Sequence, residues 1–391
     1  MDVLAPFEFQ LATRLVFGVG ASARAGELAA ARGVRRVLLV TDAGVAAAGH
    51  AERVAASLRA AGIAVTVFAD THANPSTDDV AAALAVAQTA GVDGFVAVGG
   101  GSSLDTAKGA NFLLTNGGRM ADYWGAGKAA KPLLPLIAVP TTAGTGSEVQ
   151  SYALISDAAT HRKMACGDPK AAPCVALLDP ALTVSQPPQV TAIAGIDAVA
   201  HAVEAMVTRT ATELSRLFAR EAFRLTATHL AQAVAEPTDL AARAAMQLGA
   251  CYAGVAIEHS MLGAAHAAAN PLTERYGVPH GLAVAAMLPA VVRFNGKLPA
   301  VAQAYLALLQ GAGLAAPDGP ADEAPGRLIE ALEELLAAAR IPPRPDRRTC
   351  PADAALAAAA AAQWTAQHNP RPVTAADFQG LYAAALSPLG V

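Results

Sequence analysis

The chain has 391 residues, 54% hydrophobic and 15% charged, with a formal net charge of −4. That length suits two domains better than one core, and the balance supports large buried interiors. No basic tract points to nucleic acid, and the apolar runs are broken by Gly, Pro or charge short of the ~20 residues a bilayer span needs. The N-terminus, Met1-Asp-Val-Leu-Ala-Pro-Phe-Glu8, lacks a basic stretch leading into an apolar one, so no secretory signal is expected. Cys166, Cys174, Cys251 and Cys350 are scattered without a Cys-x-x-Cys pair. A reduced, cytoplasmic setting fits them better than a disulfide framework.

In chain order, 7–11 and 15–17 read as short β-like pieces, followed by an Ala-rich helix from about Ser22. Val37 to Thr41 is a continuous apolar run ending at Asp42, as expected of a strand buried on both faces. A helix over about 45–61, a strand over 64–68, a loop over 71–77, a helix to about Ala90 and a strand over 94–98 follow. Strands alternating with helices of this length predict a parallel sheet covered on both sides.

Gly99-Gly-Gly-Ser102 comes straight after the strand ending at Val98. Glycines let a backbone turn tightly and approach a ligand. Ser102 is expected to cap the next helix, with Asp105 as its capping-box partner, so that the helix N-terminus faces a pyrophosphate. An ordinary strand-to-helix turn explains the same residues. Asp42, ending an earlier strand, is suited to accept from an adenosine ribose and to repel a 2′-phosphate, favouring NAD over NADP. It precedes the glycine turn, unlike the acidic residue of the common dinucleotide motif. Pro140-Thr-Thr-Ala-Gly-Thr-Gly-Ser-Glu148, after the apolar run 134–139, offers hydroxyls where another strand ends.

From Val149 to about Leu178 further β-like pieces are expected, with His161-Arg-Lys163 in a turn. Lys163 reads either as an exposed hairpin charge or as a cation reaching a cofactor. Beyond Asp179-Pro180 the texture is helical throughout, placing an α/β domain over 1–184 and an all-helical one over 185–391. Within the latter, 311–326 reads as a surface loop, 341–345 as a stiff Pro-rich connector, and 352–362 as an Ala helix.

Asp197 and His201 in Gly195-Ile-Asp-Ala-Val-Ala-His201 share one helical face. Such a pair alone is commonly a helix-stabilising contact. His266 in an Ala-rich stretch and His280 in Val-Pro-His-Gly extend it to one carboxylate and three imidazoles in apolar surroundings. An unpaired carboxylate there would be costly, and a divalent cation removes the cost. Mixed N and O donors suit Fe²⁺ or Zn²⁺ better than Mg²⁺ or Ca²⁺.

Gly99–Ser102, Pro140–Thr145, Gly195–His201, Pro279-His-Gly281 and the late Asn369-Pro-Arg-Pro372 together resemble the iron-containing, group III alcohol dehydrogenases over nearly the whole chain. The resemblance implies an N-terminal parallel-sheet dinucleotide-binding α/β domain and an all-α C-terminal metal-binding domain, an architecture shared with dehydroquinate synthase. It implies Asp197, His201, His266 and His280 as metal ligands, with His280 also in the catalytic centre. It further implies that Asp42, Gly99, Gly100, Gly101, Ser102 and Asp105, with Thr141, Thr142, Thr145, Ser147 and Lys163, lie along NAD. The implied reaction is hydride exchange between nicotinamide and a small alcohol or aldehyde, by a homodimer or higher oligomer. A 4-hydroxybutyrate dehydrogenase, a hydroxyacid–oxoacid transhydrogenase and, from another class, a non-catalytic dinucleotide sensor are the alternatives.

One position departs from the family. Many relatives carry a further His four residues after the third ligand, where this chain has Asn270, and an amide is no general acid or base. His259, expected to share a helical face with His266 and Asn270, is the substitute proton relay that the sequence offers.

Overall fold

Aliphatic runs that end at small or acidic residues, each followed by a helix, build the first half as an open sheet. A computed structural model describes residues 6–341, 350 and 353–386. Its elements begin β1 (Arg14–Phe17), α1 (Ala25–Ala30), β2 (Arg36–Val40), α2 (Ala43–Ala47), α3 (His50–Ala60), β3 (Ala64–Phe68), α4 (Thr77–Ala90), β4 (Gly94–Gly99) and α5 (Gly101–Asn116). They continue with β5 (Gly125–Ala126), β6 (Leu136–Pro140), β7 (Tyr152–Ser156), β8 (Lys163–Gly167) and β9 (Val175–Leu178). The main sheet is parallel in the order β1-β9-β6-β4-β2-β3, and β5-β8-β7 form a small second sheet.

Alternation along the central strands decides the two faces. Val37, Leu39, Val96 and Val98 pack with Leu28 of α1 and Val54 and Leu58 of α3. Leu38, Val40, Phe95 and Ala97 pack with Ala83 of α4 and Leu104 and Ala107 of α5. Burial on both faces is why these strands read as unbroken apolar runs. The chain leaves β2 for edge strand β3 and returns to β4 on the other side of β2. The carboxyl ends of β2 and β4 therefore flank a topological switch point, where open α/β sheets take their ligands.

The chain divides into two units, Gln10–Gln186 and Pro187–Val391, the latter together with the N-terminal segment ending at Phe9. The break falls at Pro187, just before α6 (Pro188–Ala205), which opens on proline. Proline suits the first helical turn because the amide it lacks has no partner there. The second unit continues with α7 (Glu213–Ala235), α8 (Leu240–Ser260), α9 (Ala264–Tyr276), α10 (His280–Asn295) and α11 (Pro299–Gly311). It ends with α12 (Ala324–Ala338), α13 (Ala354–Ala361) and α14 (Ala375–Ala385).

Several local expectations change. Residues 7–11 form no strand; Phe9 instead stacks on Phe218 and His259, with centroids 5.8 and 4.1 Å away. The helix expected over 45–61 is two, α2 and α3, because Gly49 between them is left-handed at φ 77°. The 311–326 loop is shorter, since α12 starts at Ala324 and takes in Gly326. Residues 342–345 of the Pro-rich connector and Ala352 lie outside the described residues, while α13 begins after an Asp353 cap. Among the described residues, α8 has the length and apolarity of a membrane span, 21 residues at mean hydropathy 1.3, yet 67% of that window is buried. It packs as a core helix between α6 and α7.

Candidate metal centre and nucleotide turn

In the α/β unit, the glycine turn closes on its neighbours at the switch point. Helix α5 starts at Gly101 with Gly100 as its cap and no side-chain cap bond. The capping box expected of Ser102 and Asp105 is therefore absent. Three successive glycines let the helix begin at once, so Ser102 already lies inside it and the first amides stay free of side-chain caps. A Cβ on Gly101 would sit 2.8 Å from Thr145 Cγ2, and one on Gly100 3.1 Å from Thr142 Cγ2. A Cβ on Gly99 would come 3.4 Å from Asp42 Oδ2. Asp42, the glycine turn, Thr142 and Thr145 are thus drawn together, and Thr141 N donates to Gly99 O at 3.0 Å. Asp42 also accepts from Val45 N at 3.0 Å, capping α2.

Asp105 points elsewhere. It is buried, accepting from Ser147 Oγ at 2.7 Å and Leu154 N at 3.1 Å, with Lys108 Nζ 4.0 Å away. Burial pushes its carboxyl up, against the pull of Lys108. Lys108, fully buried, donates to Ser147 O at 2.7 Å, Ser147 Oγ at 2.8 Å and Tyr152 O at 2.9 Å. Asp105 and Lys108 thereby pin the loop that carries Thr145 and Ser147. Sequence reading missed Lys108; its place three residues after Asp105, on one helical face, was the signal. Lys163 opens β8 opposite Ser156 and is half-buried. Glu148 is buried beside this knot, and desolvation raises its carboxyl to about 7.

In the helical unit, Asp197 and His201 leave α6, His266 leaves the first turn of α9, and His280 opens α10. Close helix approach is what permits their meeting. A Cβ on Gly195 would lie 2.3 Å from Leu230 of α7, and one on Gly281 only 2.1 Å from Ile193 O of α6. The glycine after His280 lets α10 start against the α6 backbone.

The Nε2 atoms of His266, His201 and His280 stand 3.3, 3.6 and 3.7 Å from the same oxygen, Asp197 Oδ1. Two ligands about 2.0–2.1 Å from a tetrahedral ion stand about 3.4 Å apart, so the donor set fits a small divalent cation. Asp197, His201 and His266 are buried, their ligand atoms lying within 4.8 Å of one another; the His280 side chain is 24% exposed and marks the accessible side. Burial alone would raise the Asp197 carboxyl, but His201, His266 and His280 hold it well below the usual carboxylate range.

Glu204, which the sequence reading passed over, completes this face of α6. Its Oε2 lies 2.5 Å from His266 Nδ1 and its Oε1 accepts from Ala265 N at 2.7 Å. Burial disfavours a charged His266, yet Glu204 and Asp197 raise it to about 9. Asp197, His201 and Glu204 at i, i+4 and i+7 were the available signal.

The relay face expected for His259 does not exist. Helix α8 ends at Ser260, and Met261, left-handed at φ 64°, separates it from the helix of His266 and Asn270. His259 Nδ1 pairs with Val255 O at 2.9 Å and its ring stacks on Phe9. Asn270 is half-buried and donates through Nδ2 to Gln363 Oε1 at 3.1 Å.

A parallel-sheet unit with a glycine turn at its switch point and a helical unit with an Asp/His₃ cluster define a metal-dependent dinucleotide enzyme class. Family models agree: residues 12–180 match iron-containing alcohol dehydrogenase, and residues 191–386 match the C-terminal part of the same family. The chain belongs to the iron-containing alcohol dehydrogenase family. It is 39% identical over 280 residues to the NAD-dependent methanol dehydrogenase of Bacillus methanolicus, covering 72% of this chain and 74% of that protein. It is 41% identical over 293 residues to the choline dehydrogenase of Bacillus subtilis, covering 74% and 73%. A solved 1,3-propanediol oxidoreductase superposes with a TM-score of 0.92 at 32% identity, covering 97% of this chain and all (100%) of that one.

Proposed function

We propose that the protein is a metal-dependent, NAD-linked alcohol dehydrogenase or aldehyde reductase acting on a small CH–OH substrate. The carrying observation is the convergence of three imidazole Nε2 atoms on one buried Asp197 oxygen. Asp197, His201, His266 and His280 would hold Fe²⁺ or Zn²⁺. The chemistry supplied by the bound groups is Lewis acidity at the substrate oxygen and hydride exchange with the nicotinamide.

The chain's own residues position these groups. Free amides at the start of α5 would face the pyrophosphate, and Asp42 would take the adenosine ribose and disfavour NADP. Thr141, Thr142 and Thr145 line the cofactor, with Ser147 held in place by Asp105 and Lys108. Lys163 supplies a nearby cation. His280, the exposed ligand, would face the substrate side, and Asn270, an amide, cannot carry the proton of the reaction.

The same reading makes the enzyme cytoplasmic, a setting that suits Cys166, Cys174, Cys251 and Cys350, none of them in a disulfide. It also makes it a homodimer or higher oligomer. Phe17 and Val19, 46% and 65% exposed at edge strand β1, support that assembly. Sedimentation equilibrium reads the oligomeric state.

An NADH absorbance assay across alcohols, diols, hydroxyacids and aldehydes tests the activity. Turnover with a soluble NAD pool is the expected result; redox exchange between two substrates without free NADH identifies a transhydrogenase, and binding without turnover identifies a sensor. The relatives act on substrates as different as methanol and choline by name, so the panel must be broad.

A further inference from the structure

We infer that Glu204 is a positioning residue that fixes the tautomer of His266, so that Nε2 is presented to the metal as a lone pair. The inference rests on the metal site proposed above. A carboxylate only accepts hydrogen bonds, so its 2.5 Å contact requires the proton of His266 to sit on Nδ1. Nε2, the ring's other nitrogen, faces Asp197 Oδ1 at 3.3 Å, on the side where a cation would sit between them.

The carboxylate is itself held. It is 3% exposed, and its other oxygen caps the first turn of α9 through Ala265 N at 2.7 Å. Asn369 caps the adjacent amide, Ala264 N, at 3.2 Å, and locks to Asn295 by paired amide bonds of 2.9 and 2.8 Å. Gly263 is required between them, because a Cβ there would lie 3.0 Å from both Asn369 Oδ1 and Glu204 Oε1. The late Asn369-Pro-Arg-Pro372 motif thereby seats the helix start from which His266 projects. Arg371 ties that segment to α10 through Phe294 O at 3.1 Å.

The test is Glu204→Gln in the full chain. Glutamine can still accept from Ala265 N, but its NH₂ must donate to His266 Nδ1. That moves the ring proton to Nε2 and disables it as a ligand. Metal-stripped wild type and variant are titrated with Zn²⁺ against a chromophoric chelator, with thermal melts of both stripped forms. The expected result is zinc affinity weaker by about 10- to 100-fold in a variant that still melts cooperatively. Equal affinity in the two proteins would mean that Glu204 serves only as a helix cap, and would overturn the inference while leaving the metal site intact. Wild type that binds no zinc overturns both. Should the variant not fold, long-range ¹H–¹⁵N spectra of zinc-loaded, ¹⁵N-histidine wild type decide, with His266 assigned by the signals lost in His266→Gln. A proton on Nδ1 supports the assignment, and a proton on Nε2 overturns it.

Discussion

The glycine turn lacks side chains at three consecutive positions, Gly99 to Gly101, whereas the candidate metal centre assembles four side chains from α6, α9 and α10. The first depends on what is missing, since Cβ atoms at Gly100 and Gly101 would strike Thr142 and Thr145. The second depends on what is present and ionised. The two regions also treat buried carboxyls in opposite ways. Asp197, ringed by imidazoles, is held low; Glu148, buried beside the Thr145–Ser147 loop, is raised to about 7 by desolvation, against a backbone amide and Lys108. Burial raises a carboxyl unless enough positive charge meets it: Lys108 beside them leaves Asp105 and Glu148 raised, whereas three imidazoles hold Asp197 low.

Substitutions at the two regions should fail differently. The largest effect is expected for Asp197→Asn. Removing the anionic ligand should lower kcat/KM by about 10³-fold or more, corresponding to several kcal/mol of lost transition-state stabilisation. Steady-state kinetics with bound-metal analysis of the same sample checks it, and near-wild-type turnover at full metal content would remove Asp197 from the site.

Glu148 gives the contrasting result. Its folded pKa, about 7, lies above its ordinary 4.5. The group's contribution to stability is therefore complete below about pH 4.5 and is lost as pH rises through about 7. Glu148→Gln should match wild type in the acid range and exceed it above pH 7 by on the order of 1–3 kcal/mol, read from denaturant melts at several pH values. A gap that does not change with pH would place the carboxyl in a more polar setting than the structure gives it.

At the turn, Gly101→Val should push α5 away from Thr145 and raise the Kd for NAD by about 10-fold, with zinc affinity unchanged. Equal losses of both affinities would show a folding defect in place of a local one. The smallest effect is expected for His259→Gln. Because Met261 separates His259 from the helix of His266, the pH–rate profile should keep its shape; a lost ionisation would restore the relay role.

The local parts were legible in the sequence. The apolar run to Asp42, the glycine turn and the Asp197/His201 pair each follow from residues a few positions apart, and α4 and β3 fall where periodicity predicts them. What escaped depended on distant partners or on backbone strain. Glu204 draws no notice until His266 arrives from another helix, and Lys108 looks like an ordinary helical lysine until Ser147 folds over it. Met261 adopts a left-handed conformation that its own side chain does not announce, with Gly263, two residues on, as the local sign of the break between His259 and Asn270. The missing Ser102 cap has the same origin, because three glycines allowed the helix to start earlier than capping chemistry predicted.

Turnover should need a metal held by Asp197, His201, His266 and His280. Chelation and exhaustive dialysis of wild-type protein, followed by the NADH assay before and after adding Fe²⁺ or Zn²⁺, tests it most directly. Activity should be lost with the metal and regained on its return. Full activity in rigorously metal-free protein would contradict it.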